Sequence, residues 1–480
     1  MRLPLRLEGD ASRTIALPFG VWNEARTRDV FAQIEQLTDD QVARELERIR
    51  MQFTPRHANL EALFEEHYRM AAETAGHSNP LPRERRLLVG AYFTMEYSFQ
   101  SAALFNPSIV PHPDQSSAPP GGLRFLMSLR AVGEGHVSSV VFASGAITAR
   151  HKLRLDPFGS LSARVRPDPD REYLKPLFAR KLREIHADGE PVELILAGLP
   201  ERFTLGQFEA RVEALRPIHG SPAFEEAVQS ARWLARSNYS VELPRGQRIE
   251  EFVLFPNSAN ESRGIEDMRM VRFVDDDDSV TYYGTYSAFN GQFVLPMLME
   301  THDFRRLQMH TLNGAAAKNK GFALFPRRVN GHYCMCGRID GRRLFIMYSD
   351  HVHFWESATP LAEPRFPWEL QLIGNCGSPI ETPEGWLLLT HGVGPMRRYC
   401  IGAMLLDLND PLRIIGRLRE PLLSPTDVER EGYVPNVVYS CGGLVFRDRL
   451  YLPYAMSDEA TSFAVIPVDP LLDELKRCGP

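Results

Sequence analysis

Short apolar runs alternate with turns through much of this chain, and they recur in a fixed order. Four similar units follow one another over about residues 270–468, with a repeat of roughly 50 to 60 residues, and a fifth lies near residues 105–145. Each unit contains a strand, a turn built on Asp, Asn or Gly, a second apolar strand and usually a third strand. A β-sandwich does not require one repeated unit with its turn in one place, so the repeat favours a five-bladed β-propeller.

Helical periodicity occupies two other stretches of the sequence. Helices are predicted over residues 38–50, where Thr38 stands at an N-cap position, over residues 60–68, and after Pro82. Helical spacing of apolar residues returns between about residues 167 and 239. We interpret this second block as an insertion in a β domain.

These patterns predict a mostly β fold, a five-bladed β-propeller with N-terminal helices and an inserted helical segment. From about Phe252 to the end of the chain only strands are expected. The predicted organisation comprises an N-terminal helical extension at 1–96, a first propeller blade at 97–166, a helical insertion at 167–240 and the remaining propeller blades at 241–480.

Composition argues against several classes of partner. The 480 residues are 44% hydrophobic and carry a formal net charge of -6, and the sequence has no extended run of Lys or Arg, so neither a nucleic-acid stripe nor a polybasic anchor is indicated. No apolar run approaches the ~18 residues of a membrane span, and the N-terminus lacks the apolar core of a signal peptide. We therefore expect no nucleic-acid or membrane partner and a cytoplasmic location.

The cysteines indicate reduced thiols, because all six lie in the C-terminal third and none forms a CxxC pair. Cys334 and Cys336 are two residues apart, so on a strand they share one face. They could supply half of a metal site or fill the core side of a strand. The core interpretation is favoured, and no metal ion is predicted.

An acidic pair, Glu266 and Asp267, stands between a polar loop and an alternating run that predicts a strand leading to an acidic turn at Asp275–Asp278. A carboxylate at the start of a strand can act as a catalytic acid, although such a loop can also be an ordinary charged surface. In a propeller, polar groups near the starts of different units converge on one channel. The candidates are Asn106, Arg130, Asp267, Lys320, Arg338, His391, Tyr399 and Asp458.

Longer motifs resemble glycoside hydrolase family 130, the mannoside phosphorylases and related β-mannosidases. The resemblance extends from about Tyr97 to Leu475, and its most specific elements are GIEDMR at 264–269, THG at 390–392 and YAMSD at 454–458. LFNPSIVPHPD, SLRAVGEGHVSS and KGFALFPRRVNGHY also contribute. With its helical additions, the chain is most similar to the branch that contains the phosphorylases of β-1,2-linked mannobiose and oligomannan.

The resemblance implies a five-bladed propeller and inverting phosphorolysis of β-1,2-linked mannosides, which releases α-D-mannose 1-phosphate. Inorganic phosphate is then a co-substrate, and no cofactor is expected. By its place in GIEDMR, Asp267 matches the general acid of the family. The other motif positions imply phosphate ligands at Lys320, Arg338, His391 and Tyr399, and mannose ligands at Asn106, Arg130 and Asp458.

Each of these residues also has an ordinary interpretation. Lys318 competes with Lys320, and Arg338 stands beside a turn, where arginines are often solvated. His391 could be a hydrogen-bonded core histidine, and Tyr399 could serve packing alone.

One departure from the family leaves a second function open. Many relatives have a basic residue near the position of Leu372, and its absence keeps an inverting β-mannosidase under consideration, with Glu381 or Asp350 as the base. A third alternative is a non-catalytic glycan-binding propeller. The helical additions either cover the acceptor end of the site or form a subunit contact in a homo-oligomer.

Overall fold

A computed structural model describes residues 1–57, 59–79, 81–159, 161–164, 167–168, 171–243 and 246–480, and this part of the chain is mostly β. The predicted domain boundary at residue 166 lies outside the described residues. The helices are α1 (Glu24–Gln36), α2 (Asp39–Phe53), α3 (Leu60–Ala75), α4 (Arg83–Tyr92), α5 (Lys175–Glu184), α6 (Glu190–Ala197), α7 (Leu205–His219), α8 (Pro222–Ser237) and α9 (Val468–Cys478).

The strands up to the acidic turn are β1 (Thr14–Pro18), β2 (Thr94–Ser98), β3 (Ala103–Pro111), β4 (Leu123–Val132), β5 (Ser138–Ile147), β6 (Leu153–Leu155), β7 (Ala163–Arg164), β8 (Glu172–Leu174), β9 (Arg202–Thr204), β10 (Ser240–Glu242), β11 (Phe252–Leu254) and β12 (Gly264–Val274). The next are β13 (Val280–Phe289), β14 (Val294–Thr301), β15 (Arg306–Thr311), β16 (Lys320–Leu324), β17 (Tyr333–Arg338), β18 (Leu344–Ser349) and β19 (Thr359–Ala362). The last are β20 (Leu372–Asn375), β21 (Ile380–Thr382), β22 (Gly385–Val393), β23 (Tyr399–Leu406), β24 (Ile414–Arg417), β25 (Val438–Tyr439), β26 (Leu444–Phe446), β27 (Arg449–Met456) and β28 (Ala460–Pro467).

The predicted repeat units correspond to separate groups of antiparallel strands. The third, fourth and fifth units form sheets β16–β19, β20–β24 and β25–β28. The first two units, β3–β6 and β12–β15, belong to one eleven-stranded sheet, in which Gly264 of β12 pairs with Ser138 of β5. The sequence repeat therefore marks the strand groups but not this additional pairing.

Local sequence signals predict the positions of three N-terminal helices. The Thr38 hydroxyl accepts a hydrogen bond from the Gln41 backbone, and the Gln41 side chain accepts one from the Thr38 backbone, which starts α2. The helices predicted at 60–68 and after Pro82 are confirmed as α3 and α4. Among the described residues, no helix is long and apolar enough to cross a membrane.

The expectation of strands alone after Phe252 is wrong, because α9 ends the chain. Its residues Leu471, Leu472 and Leu475 are buried in a core shared with β23, β27 and β28. Contact with these sheets stabilises a terminal helix whose apolar residues occupy one face. In contrast, Cys334 and Cys336 are fully buried in β17, which confirms the core-strand interpretation.

The pairing registers bring polar positions to one end of several hairpins. Arg130 near the end of β4 lies opposite Phe105 near the start of β3. Arg338 at the end of β17 lies opposite Lys320 at the start of β16. His391 near the end of β22 lies opposite Gly374 in β20. Antiparallel pairing thus places the end of each second strand beside the start of the first.

Candidate active site

One polar cavity of about 220 Å³ collects all eight residues singled out from the sequence. Five sequence-distant strand groups contribute to it, so side chains more than 350 residues apart share one space. The lining residues are Asn106, Arg130, Glu266, Asp267, Lys320, Arg338, His391, Arg397, Tyr399, Val437, Tyr439 and Asp458.

Backbone irregularities aim three of the lining segments into the cavity. The strand register shifts between Phe105 and Ser108, between Glu266 and Arg269, and between Lys320 and Ala323. Asn106 and Asp267 lie inside the first two irregularities, and both have a left-handed backbone, with φ of 49° and 54°. Such conformations in non-glycine residues cost roughly 1 to 3 kcal/mol and concentrate at functional sites.

The carboxylate of Asp267 is held by two neighbours from the first strand group. Asn106 Nδ2 donates to Asp267 Oδ1 at 2.7 Å, and Arg130 Nη1 lies 3.4 Å from the same oxygen. Arg130 Nη2 also donates to Glu266 Oε1 at 2.7 Å. Because one guanidinium contacts both carboxylates, it fixes their relative positions.

Opposing effects act on the ionisation of Asp267. Burial raises the pKa of its carboxyl group, but the positive charges of Arg130, Arg269 and Lys320, with the amide of Asn106, hold the pKa below its usual value. The free side chain is therefore ionised at neutral pH. To donate a proton, Asp267 needs a change in the charge around it.

The opposite side of the cavity carries cationic and aromatic groups. Arg338 Nη1 lies 3.3 Å from His391 Nε2, and the His391 and Tyr399 rings are stacked with centroids 6.1 Å apart. Burial and the charges of Arg338 and Arg269 lower the pKa of His391 well below its usual value, so the imidazole is neutral. Its Nε2 therefore accepts a hydrogen bond from Arg338, and the imidazole orients that guanidinium.

Some buried polar atoms of the cavity lack protein partners. Asn106 Oδ1, Arg130 Nε and Arg338 Nε have no hydrogen-bond partner within the described part of the chain. Unsatisfied buried polar groups are uncommon and cost about 1 to 3 kcal/mol each. Their presence in one cavity fits a site for a polar ligand.

Asp458 lies in the left-handed turn between β27 and β28, with φ of 51°. Burial and the charge of Asp267 raise its pKa to about 6, against the opposing charges of Arg130 and Arg397. Since a raised pKa favours the protonated form in the folded state, the folded protein loses stability as pH rises from about 4 to about 6. The loss is at most about 3 kcal/mol.

We expect Asp458→Asn to raise the melting temperature by a few degrees at pH 8 and by much less at pH 4.5, because asparagine cannot ionise. Thermal unfolding at the two pH values measures the difference. Asp427→Asn, at a fully exposed carboxylate, is the matched control and should change neither value. An Asp458→Asn variant that is less stable than wild type at pH 8 would contradict the raised pKa of Asp458.

Sequence reasoning did not assign four of the lining residues to the cavity. Glu266 was noted only as half of the acidic pair, and Arg397, Val437 and Tyr439 were not candidates. Arg397 lies in a one-turn helix, Pro395–Arg397, where it adopts a left-handed φ of 55°. In the sequence, Arg397 could have been found from the Arg397–Arg398 dipeptide, which directly precedes the candidate Tyr399. No periodic pattern marks Tyr439, because β25 has only two residues.

The two carboxylates proposed as a hydrolytic base do not reach the cavity. Glu381 lies at a separate groove and pairs with Arg327 at 2.8 Å. Asp350 is largely exposed and pairs with His332 at 2.7 Å. These assignments are wrong, because residue type alone does not indicate whether a carboxylate faces the cavity. Lys320, not Lys318, lines the cavity, and Leu372 does not.

Comparisons with known proteins agree with the motifs. The family model of glycoside hydrolase family 130, described as beta-1,4-mannooligosaccharide phosphorylase, matches residues 240–477. This chain is 33% identical over 241 residues to the 1,2-beta-oligomannan phosphorylase of Thermoanaerobacter sp. (strain X514), covering 49% of this chain and 79% of that protein. It is 34% identical over 224 residues to the beta-1,2-mannobiose phosphorylase of the same organism, covering 46% and 72%.

A third relative, the beta-1,2-mannobiose phosphorylase of Listeria innocua serovar 6a, is 31% identical over 234 residues, with 47% of this chain and 64% of the relative covered. The cavity and these matches define a glycoside-processing class of protein. The chain belongs to glycoside hydrolase family 130. Asn106 and Arg130 lie before the matched family segment, so their place in the cavity is known from the tertiary structure alone.

Proposed function

We propose that this protein is a phosphorylase that transfers a mannosyl group from a β-1,2-linked mannoside to inorganic phosphate, and is thus a glycosyltransferase in reaction type. The observation that supports it most directly is the shared cavity of Asp267 with Lys320, Arg338 and Tyr399. The relatives named above, phosphorylases of β-1,2-linked mannobiose and oligomannan, support the substrate class.

We also propose that the five strand groups are blades of one five-bladed β-propeller around the cavity. The helical segments at 1–96 and 167–240 are then additions to this propeller, with blades at 97–166 and 241–480. In support, each group contributes at least one lining residue to the cavity: Asn106, Asp267, Lys320, His391 and Asp458.

In the proposed complex, Arg338 and Lys320 hold phosphate oxygens, Tyr399 donates to a third, and His391 orients Arg338. Asn106, Arg130 and Asp458 bind the mannosyl unit whose bond is cleaved. A phosphate oxygen attacks C1 from the face opposite the leaving group, which inverts β to α. The C1–O bond to the acceptor breaks as the C1–O bond to phosphate forms.

The proton for the leaving oxygen comes from Asp267, directly or through a sugar hydroxyl. Bound phosphate offsets the charge of Lys320, one of the cations that keep Asp267 ionised, so phosphate binding favours protonation of the acid. Hydrogen phosphate and the mannoside yield the mannose 1-phosphate dianion and a protonated acceptor, so the reaction balances without an external proton.

Incubation with β-1,2-mannobiose, with and without phosphate, tests the function. We expect α-D-mannose 1-phosphate and mannose in equal amounts, strictly dependent on phosphate, and synthesis of the disaccharide when mannose 1-phosphate and mannose are supplied. Phosphorus NMR identifies the anomer. Because phosphate itself is the nucleophile, omission of phosphate should reduce turnover by more than about 100-fold.

Two other outcomes would replace the proposal. Release of mannose at full rate without phosphate would identify an inverting β-mannosidase. Asp458 would then be the candidate base, because Glu266, the other cavity carboxylate besides Asp267, accepts a close hydrogen bond from Arg130. Binding of mannobiose without turnover in either buffer would identify a glycan-binding propeller.

We also propose a cytoplasmic location and a homo-oligomeric state. A phosphorylated sugar conserves the energy of the cleaved bond in a form used inside the cell, and all six cysteines are free thiols. Sedimentation equilibrium tests the oligomer, and cell fractionation tests the location.

A further inference from the structure

A buried arginine next to the cavity makes no salt bridge within the described part of the chain, although the charge of Asp267 acts on it from a greater distance. Arg269 is 3% exposed, is absent from the cavity lining, and has no carboxylate oxygen within 4 Å in the described part of the chain. Burial of a guanidinium without a direct salt-bridge partner is unfavourable unless directed hydrogen bonds compensate. The contacts that Arg269 makes therefore indicate what it does.

The first contact fixes the backbone of the proposed acid. Arg269 Nη1 donates to the backbone oxygen of Asp267 at 3.1 Å. Asp267 lies in the irregularity of β12 between Glu266 and Arg269, where it has no pairing partner in β13 and its backbone is left-handed. The guanidinium thus supplies the hydrogen bond that the sheet does not, and it holds the peptide from which the carboxylate projects.

The second contact reaches the opposite side of the cavity. Arg269 Nη2 donates to the hydroxyl oxygen of Tyr439, whose ring lines the cavity. The Tyr439 ring is edge-on to His391, with centroids 4.9 Å apart, and His391 in turn contacts Arg338 at 3.3 Å. One guanidinium therefore connects the acid to the cationic side through a short chain of contacts.

We propose that Arg269 and Tyr439 form a positioning pair that sets the acid, Asp267, against the phosphate-binding side of the cavity. The inference rests on the proposed function and goes beyond it, because neither residue is assigned to substrate. The two hydrogen bonds of the pair require two N–H groups of Arg269 that point in different directions, and the hydroxyl of Tyr439. A lysine retains the charge at position 269 but cannot make the two diverging contacts.

The test compares Arg269→Lys and Tyr439→Phe with wild type in phosphorolysis of β-1,2-mannobiose. We expect kcat to fall about 10- to 100-fold in each variant, with KM for phosphate and mannobiose within about threefold, since misalignment affects the transition state more than binding. The double variant should lose little more than the worse single variant, because both single variants already remove the contact between the two side chains.

Two buried sites elsewhere provide matched controls. Arg417→Lys and Tyr454→Phe remove directed contacts to Glu369 and Glu429, outside the cavity, and should leave kcat within about twofold. Arg269→Gln adds a second readout: loss of the positive charge raises the pKa of Asp267. The alkaline limb of the kcat profile, which reports the complex with phosphate and mannobiose bound, should therefore move to higher pH.

Three results would overturn the pair. The first is an unchanged kcat in Arg269→Lys and Tyr439→Phe. The second is a loss of kcat that follows the fall in melting temperature and is no larger than the loss in the two control variants. An increase in KM for phosphate at unchanged kcat would assign Arg269 to phosphate binding instead. If wild type forms no mannose 1-phosphate, the proposed function itself fails, which the wild-type assay reports separately. Tyr439→Phe retains the ring and remains informative if Arg269→Lys does not fold.

Discussion

Asp267→Asn is expected to lower kcat for phosphorolysis of β-1,2-mannobiose by about 10³-fold, because the amide cannot protonate the leaving oxygen. Asparagine retains the shape of the side chain and an oxygen that can accept from Asn106 Nδ2. A mannoside with an acidic phenol as leaving group needs little proton donation, so its rate should fall much less. The contrast between the two substrates isolates the role of the acid.

The substitution also removes the counter-charge for the cations around Asp267, so the melting temperature should fall and rates must be measured well below it. Asp276→Asn, at an exposed carboxylate in the turn that follows the same strand, is the matched control and should retain full activity. Equal losses on both leaving groups would show that Asp267 is not the acid.

Arg338→Gln is expected to raise KM for phosphate by about 30- to 100-fold, because the loss of a charge-assisted hydrogen bond corresponds to roughly 2 to 3 kcal/mol. KM for the mannoside should stay within about threefold. In the synthetic direction, KM for mannose 1-phosphate should rise similarly, since the same guanidinium contacts the phosphoryl group. Steady-state kinetics in both directions measures these values.

Arg342→Gln provides the matched control, since Arg342 is an exposed arginine in the turn that follows Arg338. It should leave KM for phosphate unchanged. If Arg338→Gln instead raises KM for the mannoside alone, Arg338 binds sugar and the division of the cavity into an acid side and a phosphate side is wrong.

Much of the fold follows from short-range patterns. Thr38 and Gln41 cap α2 as their spacing predicts, because both partners of a capping box lie within one turn. The strand groups follow from alternation and turn residues for the same reason. Helix α9 was missed because its formation depends on an apolar surface that exists only once β23, β27 and β28 have assembled.

The candidate site was predicted in part. Eight of the twelve lining residues were predicted, first as polar groups near the starts of the repeat units and then, with their roles, from the family motifs. Glu381 and Asp350 were misplaced, since residue type and position in the chain do not indicate whether a carboxylate faces the cavity. Tyr439 and Arg397 were missed because a two-residue strand and a single turn give no periodic signal.

By itself, the sequence determined the mostly β character, the repeating strand groups, the capped helix α2 and the motif residues. These depend on neighbours within a few positions along the chain. Only the tertiary structure decided that Asn106 contacts Asp267 across 161 residues, that three strand irregularities turn polar side chains into one cavity, and that Arg269 lies beneath it. The physical reason is that burial, charge balance and long-range hydrogen bonds arise only when distant segments are brought together.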